Sequence, residues 1–245
     1  MTRTTTFVLT LALLAASAFA QDVESAKSLV ADIEAAIKAK DAGTVASLAM
    51  KVPAEFNGIE DKAMRGKLAA VLGKALKSKK LAEAHTDVLT ALVEIDDPKL
   101  AWKIASKRMP NAKKVEEATD FQIATVMAAG KLAQKSAIKS LLELVTKSKD
   151  DKLSAAAAVA LGGYKDDEKN RVSIYVELVD AGLKTRPGRS TSKQVSPEAQ
   201  ARWQTVGRGI LIALNELTGR KEQDFETHEE LYKSNKKKPK SIFED

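Results

Sequence analysis

Apolar residues recur along most of the chain at intervals of three or four positions, which is the spacing of one face of an α-helix. The clearest apolar stripe consists of Ala199, Trp203, Val206, Ile210, Ala213, Leu214 and Leu217. Similar stripes lie within residues 23–39, 61–76, 81–95, 100–109, 123–127, 138–145, 153–161 and 172–183. No segment shows the apolar–polar alternation of a half-buried strand. The pattern therefore predicts an all-α protein, with Trp203 in its core.

The segments between the stripes carry signals for helix ends. Three acidic pairs each follow one stripe and precede the next, namely Asp96-Asp97, Asp150-Asp151 and Asp166-Asp167. Aspartate accepts hydrogen bonds from the free N–H groups of a first helical turn, and Pro98 suits the first helical position. Glycine favours the left-handed residue that closes many helices, which predicts helix ends at Gly162-Gly163, Gly182 and Gly219.

Two pairs of segments show internal similarity. Residues 141–145 match residues 175–179 at an offset of 34, and residues 127–130 match residues 159–162 at an offset of 32. Offsets between about 20 and 50 residues are typical of repeat proteins built from stacked helix pairs. The sequence therefore favours stacked pairs of antiparallel helices, and an irregular helical bundle is the alternative.

At these residues the chain resembles the HEAT-repeat (armadillo-like α-solenoid) family. Residues 151–162 resemble the second helix of a HEAT pair, with an opening aspartate, a run of small residues and a closing Leu-Gly. Residues 213–225 are similar to the closing segment of exported bacterial HEAT-like proteins. The resemblance covers residues 81–235 and implies a right-handed α-solenoid. The chain departs from the family in having few arginines at the usual inner position and an insertion loop at residues 185–196.

The first twenty residues have the features of a secretory signal peptide. Arg3 is followed by an apolar run from Phe7 to Ala18, and Ala18-Phe19-Ala20 supplies the small residues of a cleavage site. The run is shorter than the ~20 residues that a membrane-spanning helix needs. We therefore expect cleavage after Ala20, export to the periplasm or beyond, a helical repeat domain at 21–235 that is most HEAT-like over 81–235, and a basic tail at 236–245.

The composition excludes several kinds of chemistry. The chain has no cysteine, which excludes disulfides, thiol catalysis and thiolate metal sites, and it has only two histidines, His85 and His228. His228-Glu229-Glu230 lacks the second histidine of a zinc protease, so we interpret Glu226, Glu229, Glu230 and Lys233 as a solvated helix face. No group of residues has the spacing of a catalytic site. We expect a non-enzymatic protein without a cofactor or metal.

Basic residues are the remaining candidates for binding. Lysine and arginine number 40 against 33 acidic residues, a net charge of +7. The candidate binding residues are Lys184, Arg186, Arg189 and Lys193 in and beside the insertion loop, with Arg202 on the following helix. A second cluster is Lys103, Lys107, Arg108, Lys113 and Lys114, and the tail adds Lys236, Lys237, Lys238 and Lys240. Phe243, in this tail, is expected to be exposed.

These observations lead to two hypotheses about function. The first is an exported scaffold that binds another protein or peptide on its extended surface, as stacked helical repeats do. The alternative is electrostatic binding of an acidic polysaccharide or another anionic polymer or membrane surface through the insertion loop and tail. Nucleic acid is not expected as the partner, because few aromatic side chains are present to stack on bases.

Overall fold

A computed structural model describes residues 23–188 and 195–243, and these residues form helices joined by short turns without any strand. The prediction of an all-α protein is confirmed. The predicted signal peptide and residues 189–194 of the insertion loop lie outside the described residues. The chain divides between Ile104 and Ala105 into two compact units, unit 1 and unit 2.

Unit 1 contains six helices among its described residues. They are α1 (23–39), α2 (Ala42–Ala49), α3 (Val52–Gly58), α4 (Lys62–Lys77), α5 (His85–Glu94) and α6 (Pro98–Ala105), with a 3-10 turn at Lys79–Ala84 and α6 ending at the unit boundary. Helix α5 packs against α2, α3 and α4. The ion pair from Lys74 to Glu34 joins α4 to α1, and Ile104 of α6 lies beside Gly73 of α4.

The core of unit 1 includes the stripes that the sequence predicts and residues of α2 and α3. Ile33, Leu68, Leu72 and Leu92 are fully buried, together with Phe56 of α3. Helices α2 and α3 were not among the predicted elements, because each has only two turns and shows too short an apolar pattern. Residues with special backbone geometry separate them from their neighbours, since Lys40 has a positive φ of 61° and Pro53 occupies the first turn of α3.

Unit 2 contains the remaining described helices. They are α7 (Asp120–Leu132), α8 (Lys135–Lys147), α9 (Asp151–Gly162), α10 (Glu168–Thr185), α11 (Pro197–Arg202), α12 (Arg208–Thr218) and α13 (Phe225–Asn235), with 3-10 turns at Ser106–Arg108 and Pro239–Phe243. Helix α9 packs against α7, α8 and α12, while α10 packs against α8, α12 and α13. Helix α9 is therefore the centre of unit 2.

Small residues allow the close contacts of α9. Gly130 of α7 lies against the backbone of Ala160, and Gly209 of α12 lies against the backbone of Ala155. Every residue from Ala156 to Ala160 except Val159 is a buried alanine. These two glycines therefore allow α7 and α12 to approach α9 closely.

The acidic pairs cap helices as predicted. Asp97 accepts from the N–H of Leu100 at 2.9 Å, Asp150 from that of Leu153 at 2.6 Å, and Asp167 from that of Asn170 at 3.3 Å. Pro98 is the first residue of α6. These four positions show that local sequence chemistry sets the helix starts.

The predicted helix ends are confirmed at Gly162-Gly163 and at Gly219, and the prediction is wrong at Gly182. Gly219 closes α12 with a left-handed φ of 73°. Gly163 has a right-handed conformation and lies against the carbonyl of Gly130, while Gly182 lies inside α10 beneath the ring of Phe225. At both of these positions the glycine makes room for a neighbouring element. Gly163 also follows the last residue of α9, without the left-handed backbone that was predicted, whereas Gly182 ends no helix.

The stripe from Ala199 to Leu217 is not one regular helix. A π-helical turn at Trp203–Gly207 joins α11 to α12. Trp203 is only half-buried, so its expected place in the core is wrong. Its ring packs edge-on against Phe225 at 5.4 Å and covers Gly207. Trp203 thus connects the π-helical turn to α13.

Candidate functional site

The structure does not gather the five predicted binding residues into one basic site. Lys184 is exposed in the last turn of α10, and Arg189 and Lys193 lie outside the described residues. Arg186 and Arg202 are partly buried and lie in ion pairs with acidic residues of the same unit.

Both of these arginines join separate helices. Arg186 forms ion pairs with Glu226 and Glu229 of α13, the latter at 3.3 Å. Arg202 pairs with Asp151 at the start of α9 and donates to the carbonyl of Ser148 at 3.2 Å. Since each guanidinium is paired with a carboxylate of the protein, these contacts favour a structural role.

The interpretation of Glu226, Glu229, Glu230 and Lys233 as a solvated helix face is wrong for Glu229. Glu229 is 5% exposed and pairs with both Arg186 and Lys233, while His228 is fully buried. Phe225, His228 and Glu229 are spaced three and four positions apart, so they share the face that packs against α10 and α12. That spacing was visible in the sequence and could have revealed the buried face.

His228 is held as a neutral ring by its neighbours. Asn215 Oδ1 accepts from the N–H of Glu222 at 3.1 Å and lies 2.8 Å from His228 Nε2, so the histidine donates from Nε2. The hydroxyl of Tyr175 donates to the backbone carbonyl of His228 at 3.1 Å. The pKa of His228 is lowered to about 4, mainly by burial and also by the positive charge of Arg220, while the negative charge of Asp224 opposes the shift.

The end of the described chain is anchored to unit 2. Ile242 is 2% exposed, and the ring of Phe243 packs edge-on against Tyr175 with centroids 5.6 Å apart. The guanidinium of Arg171 lies over the same ring at 4.6 Å. The expectation of an exposed Phe243 is therefore wrong. The four tail lysines, Lys236, Lys237, Lys238 and Lys240, are exposed on this anchored segment.

A groove of about 430 Å³ lies between α1 and α4 of unit 1. Its floor is apolar and its rim is charged, and the lining residues are Lys27, Val30, Ala31, Glu34, Met64, Lys67, Ala70, Val71 and Lys74. None of the sequence-based candidate residues lies here. On α1 the groove residues Lys27, Val30, Ala31 and Glu34 lie beside the face that carries the buried residues Ala26, Leu29, Ile33 and Ala36.

A comparable groove of about 440 Å³ lies between α8 and α10 of unit 2. Half-buried Ile138 and Leu142 are its apolar residues, and its other lining residues are Lys135, Lys139, Glu143, Thr146, Lys147, Asn170 and Glu177. The two acidic residues in this lining reduce the positive charge of its rim. We refer to these features as the α1–α4 groove and the α8–α10 groove.

Within 23–188 and 195–243, no group of three histidine, aspartate or glutamate side chains is placed to hold a metal ion. Over the same ranges no helix has both the length and the apolar character needed to cross a membrane. Comparisons of the chain with protein-family models, curated proteins and solved structures gave no match.

Proposed function

We propose that this protein is an exported, non-enzymatic HEAT-like repeat scaffold that binds a peptide segment of another protein on its helical surface. The observation that carries the proposal is the arrangement of helices in unit 2. Helices α7, α9 and α12 are neighbours in one row, and α8, α10 and α13 are neighbours in a second row.

Specific contacts give the direction of the helices within the first row. Gly130 near the end of α7 lies against Ala160 near the end of α9. Gly209 near the start of α12 lies against Ala155 in the first half of α9, and Gly162 lies against Ala213. Corresponding ends therefore meet, so α7, α9 and α12 run parallel. Parallel alternate helices are what stacked helix pairs produce.

Such stacking supports binding because each pair contacts only its neighbours and leaves elongated grooves between successive helices. The α8–α10 groove follows one row of unit 2, and the α1–α4 groove has the same character in unit 1. Grooves with an apolar floor and a polar rim suit an amphipathic peptide segment.

A second candidate is electrostatic binding to an anionic polymer or membrane surface. One observation favours it, namely that Lys236, Lys237, Lys238 and Lys240 are exposed while Ile242 and Phe243 anchor the segment that carries them. The pairing of Arg186 and Arg202 with carboxylates removes two residues from this candidate surface.

Affinity capture from a native envelope extract tests the proposal, with residues 21–245 as bait at low and moderate salt. We expect a discrete protein retained at moderate salt, because burial of apolar surface does not depend on long-range charge. The control bait carries serine at the four tail lysines and should retain the same protein. Heterogeneous acidic material, retained only at low salt and lost with the control bait, would refute the scaffold and support the second candidate.

A further inference from the structure

The α1–α4 groove has a floor that accepts large aliphatic side chains. Met64 and Val71 are buried beneath it and Val30 is half-buried, while the small side chains of Ala31 and Ala70 are exposed along its length. Because these two side chains are only methyl groups, the groove is deeper there than it would be with larger side chains. The floor is thus an apolar channel between two helices, as is common where an amphipathic helix docks.

The rim of the α1–α4 groove is predominantly positive. Its charged residues are Lys27, Lys67 and Lys74 against Glu34, and Lys74 Nζ lies 2.5 Å from Glu34 Oε1. Lys27 pairs with Glu24 of its own helix at 3.1 Å, an exposed contact of the kind that contributes little. Within the described residues Lys67 has no carboxylate partner. The acidic residue of the rim is therefore neutralised internally, and lysine charge remains.

The charged rim residues on each of the two helices are spaced by two helical turns. Lys67 and Lys74 are seven residues apart on α4, as are Lys27 and Glu34 on α1. Seven residues of α-helix rise about 10.5 Å, or two turns. A ligand helix lying in the groove presents equivalent side chains at the same interval.

We infer that the α1–α4 groove binds an amphipathic helix of the partner whose apolar stripe is flanked by glutamate or aspartate. This inference rests on the proposed scaffold function and names the class of segment that unit 1 recognises. The apolar stripe of the ligand fills the channel over Ala31 and Ala70, and its acidic flanks lie beside the rim lysines. Opposite charges across the rim set specificity and register more than they set total affinity.

Two synthetic helical peptides test the inference directly. They share one length and one leucine stripe, and one has glutamate flanks where the other has lysine flanks. Fluorescence anisotropy with residues 21–245 at moderate salt should show that the glutamate peptide binds at least about tenfold more tightly than the lysine peptide. Equal affinities, or no binding of either peptide, would overturn the inference.

Three variants locate the binding on the protein. Lys67→Glu should lower the affinity for the glutamate peptide and raise the affinity for the lysine peptide, each by about fivefold or more. Lys80→Glu makes the same charge change at an exposed position outside the groove and should alter neither affinity. Ala70→Trp fills the channel and should abolish binding of both peptides. Circular dichroism checks that each variant is folded. Equal effects of Lys67→Glu and Lys80→Glu would refute the groove as the site.

Capture with the Lys67→Glu bait separates this inference from the proposed function. If wild-type protein retains a discrete partner and the variant retains less of it, both stand. If both baits retain the partner equally, the scaffold function stands and the groove inference is wrong. If neither retains a protein at moderate salt, the scaffold function itself fails.

Discussion

Replacing Gly130 or Gly209 by alanine should push apart the helices that meet at α9. A Cβ atom at Gly130 would lie 2.5 Å from the carbonyl oxygen and 2.6 Å from the Cα of Ala160. At Gly209 it would lie 2.7 Å from the carbonyl oxygen of Ala155. The obstructing atoms belong to the backbone of a helix, so no side-chain rotation relieves the overlap. Helix α7 or α12 must move instead.

Two opposing effects set the magnitude. Alanine is favoured over glycine inside a helix by about 0.8–1.0 kcal/mol. Overpacking a close contact costs about 1–3 kcal/mol, and contacts with fixed backbone lie toward the upper end. The net expectation is a loss of about 1–2 kcal/mol for Gly209→Ala and slightly more for Gly130→Ala. In a chain of this size, each kcal/mol lowers Tm by about 2–4 °C.

Gly66→Ala is the matched control. Gly66 lies inside α4 and nothing occupies the 4 Å around its missing Cβ, so only the helix preference acts. Stability there should rise by about 0.5–1 kcal/mol. Urea titration followed by circular dichroism measures the changes, and hydrogen exchange in α7, α9 and α12 assigns the transition to unit 2. If Gly130→Ala or Gly209→Ala stabilised the protein as Gly66→Ala does, the close packing on α9 would be refuted.

Three further predictions concern the ion pairs, the buried histidine and the amino terminus. Arg186→Ala should destabilise unit 2 by about 2–3 kcal/mol because it takes a cation from buried Glu229, whereas Lys165→Ala breaks an exposed pair and should change stability by less than about 0.5 kcal/mol. If urea titration showed similar losses of stability for Arg186→Ala and Lys165→Ala, this prediction would be contradicted. Burial holds the pKa of His228 at about 4 against an ordinary 6.5, so the unfolded chain binds more protons between these values. The free energy of unfolding should therefore be lower near pH 4 than above about pH 6.5, by up to about 3 kcal/mol. In the His228→Gln variant this loss should be smaller. Equal losses in the two proteins would exclude this histidine as the cause. Expression with export should yield a protein that begins at Gln21, and amino-terminal sequencing showing Met1 would disprove cleavage after Ala20.

The sequence predicted the helices because their signals are local. Apolar residues three and four positions apart mark the buried face of each helix, and Asp97, Asp150 and Asp167 accept hydrogen bonds from residues only three positions away. Such signals can be recognised without knowing which elements pack against the helix. The same reasoning placed Gly219 at a helix end, where its left-handed backbone is a local requirement.

The candidate sites were less accessible to sequence analysis. Arg186 was a predicted binding residue, but its partner Glu229 lies 43 positions away on α13, and only the packing of α10 against α13 brings the two together. The α1–α4 groove was not predicted at all. Its exposed residues look like ordinary solvated positions on two separate helices, its buried residues Met64 and Val71 look like ordinary core positions, and the channel exists only where α1 lies beside α4.

Local pattern by itself thus determined that the described chain is helical, where several helices begin, and which face of most predicted helices is buried. Tertiary structure alone decided that Gly163 and Gly182 provide room for neighbours, that Glu229 pairs with Arg186, and that Phe243 anchors the tail. The physical reason is distance along the chain. Capping and periodicity act within one or two turns, whereas burial, ion pairing and groove formation depend on residues that only the packing of helices brings into contact.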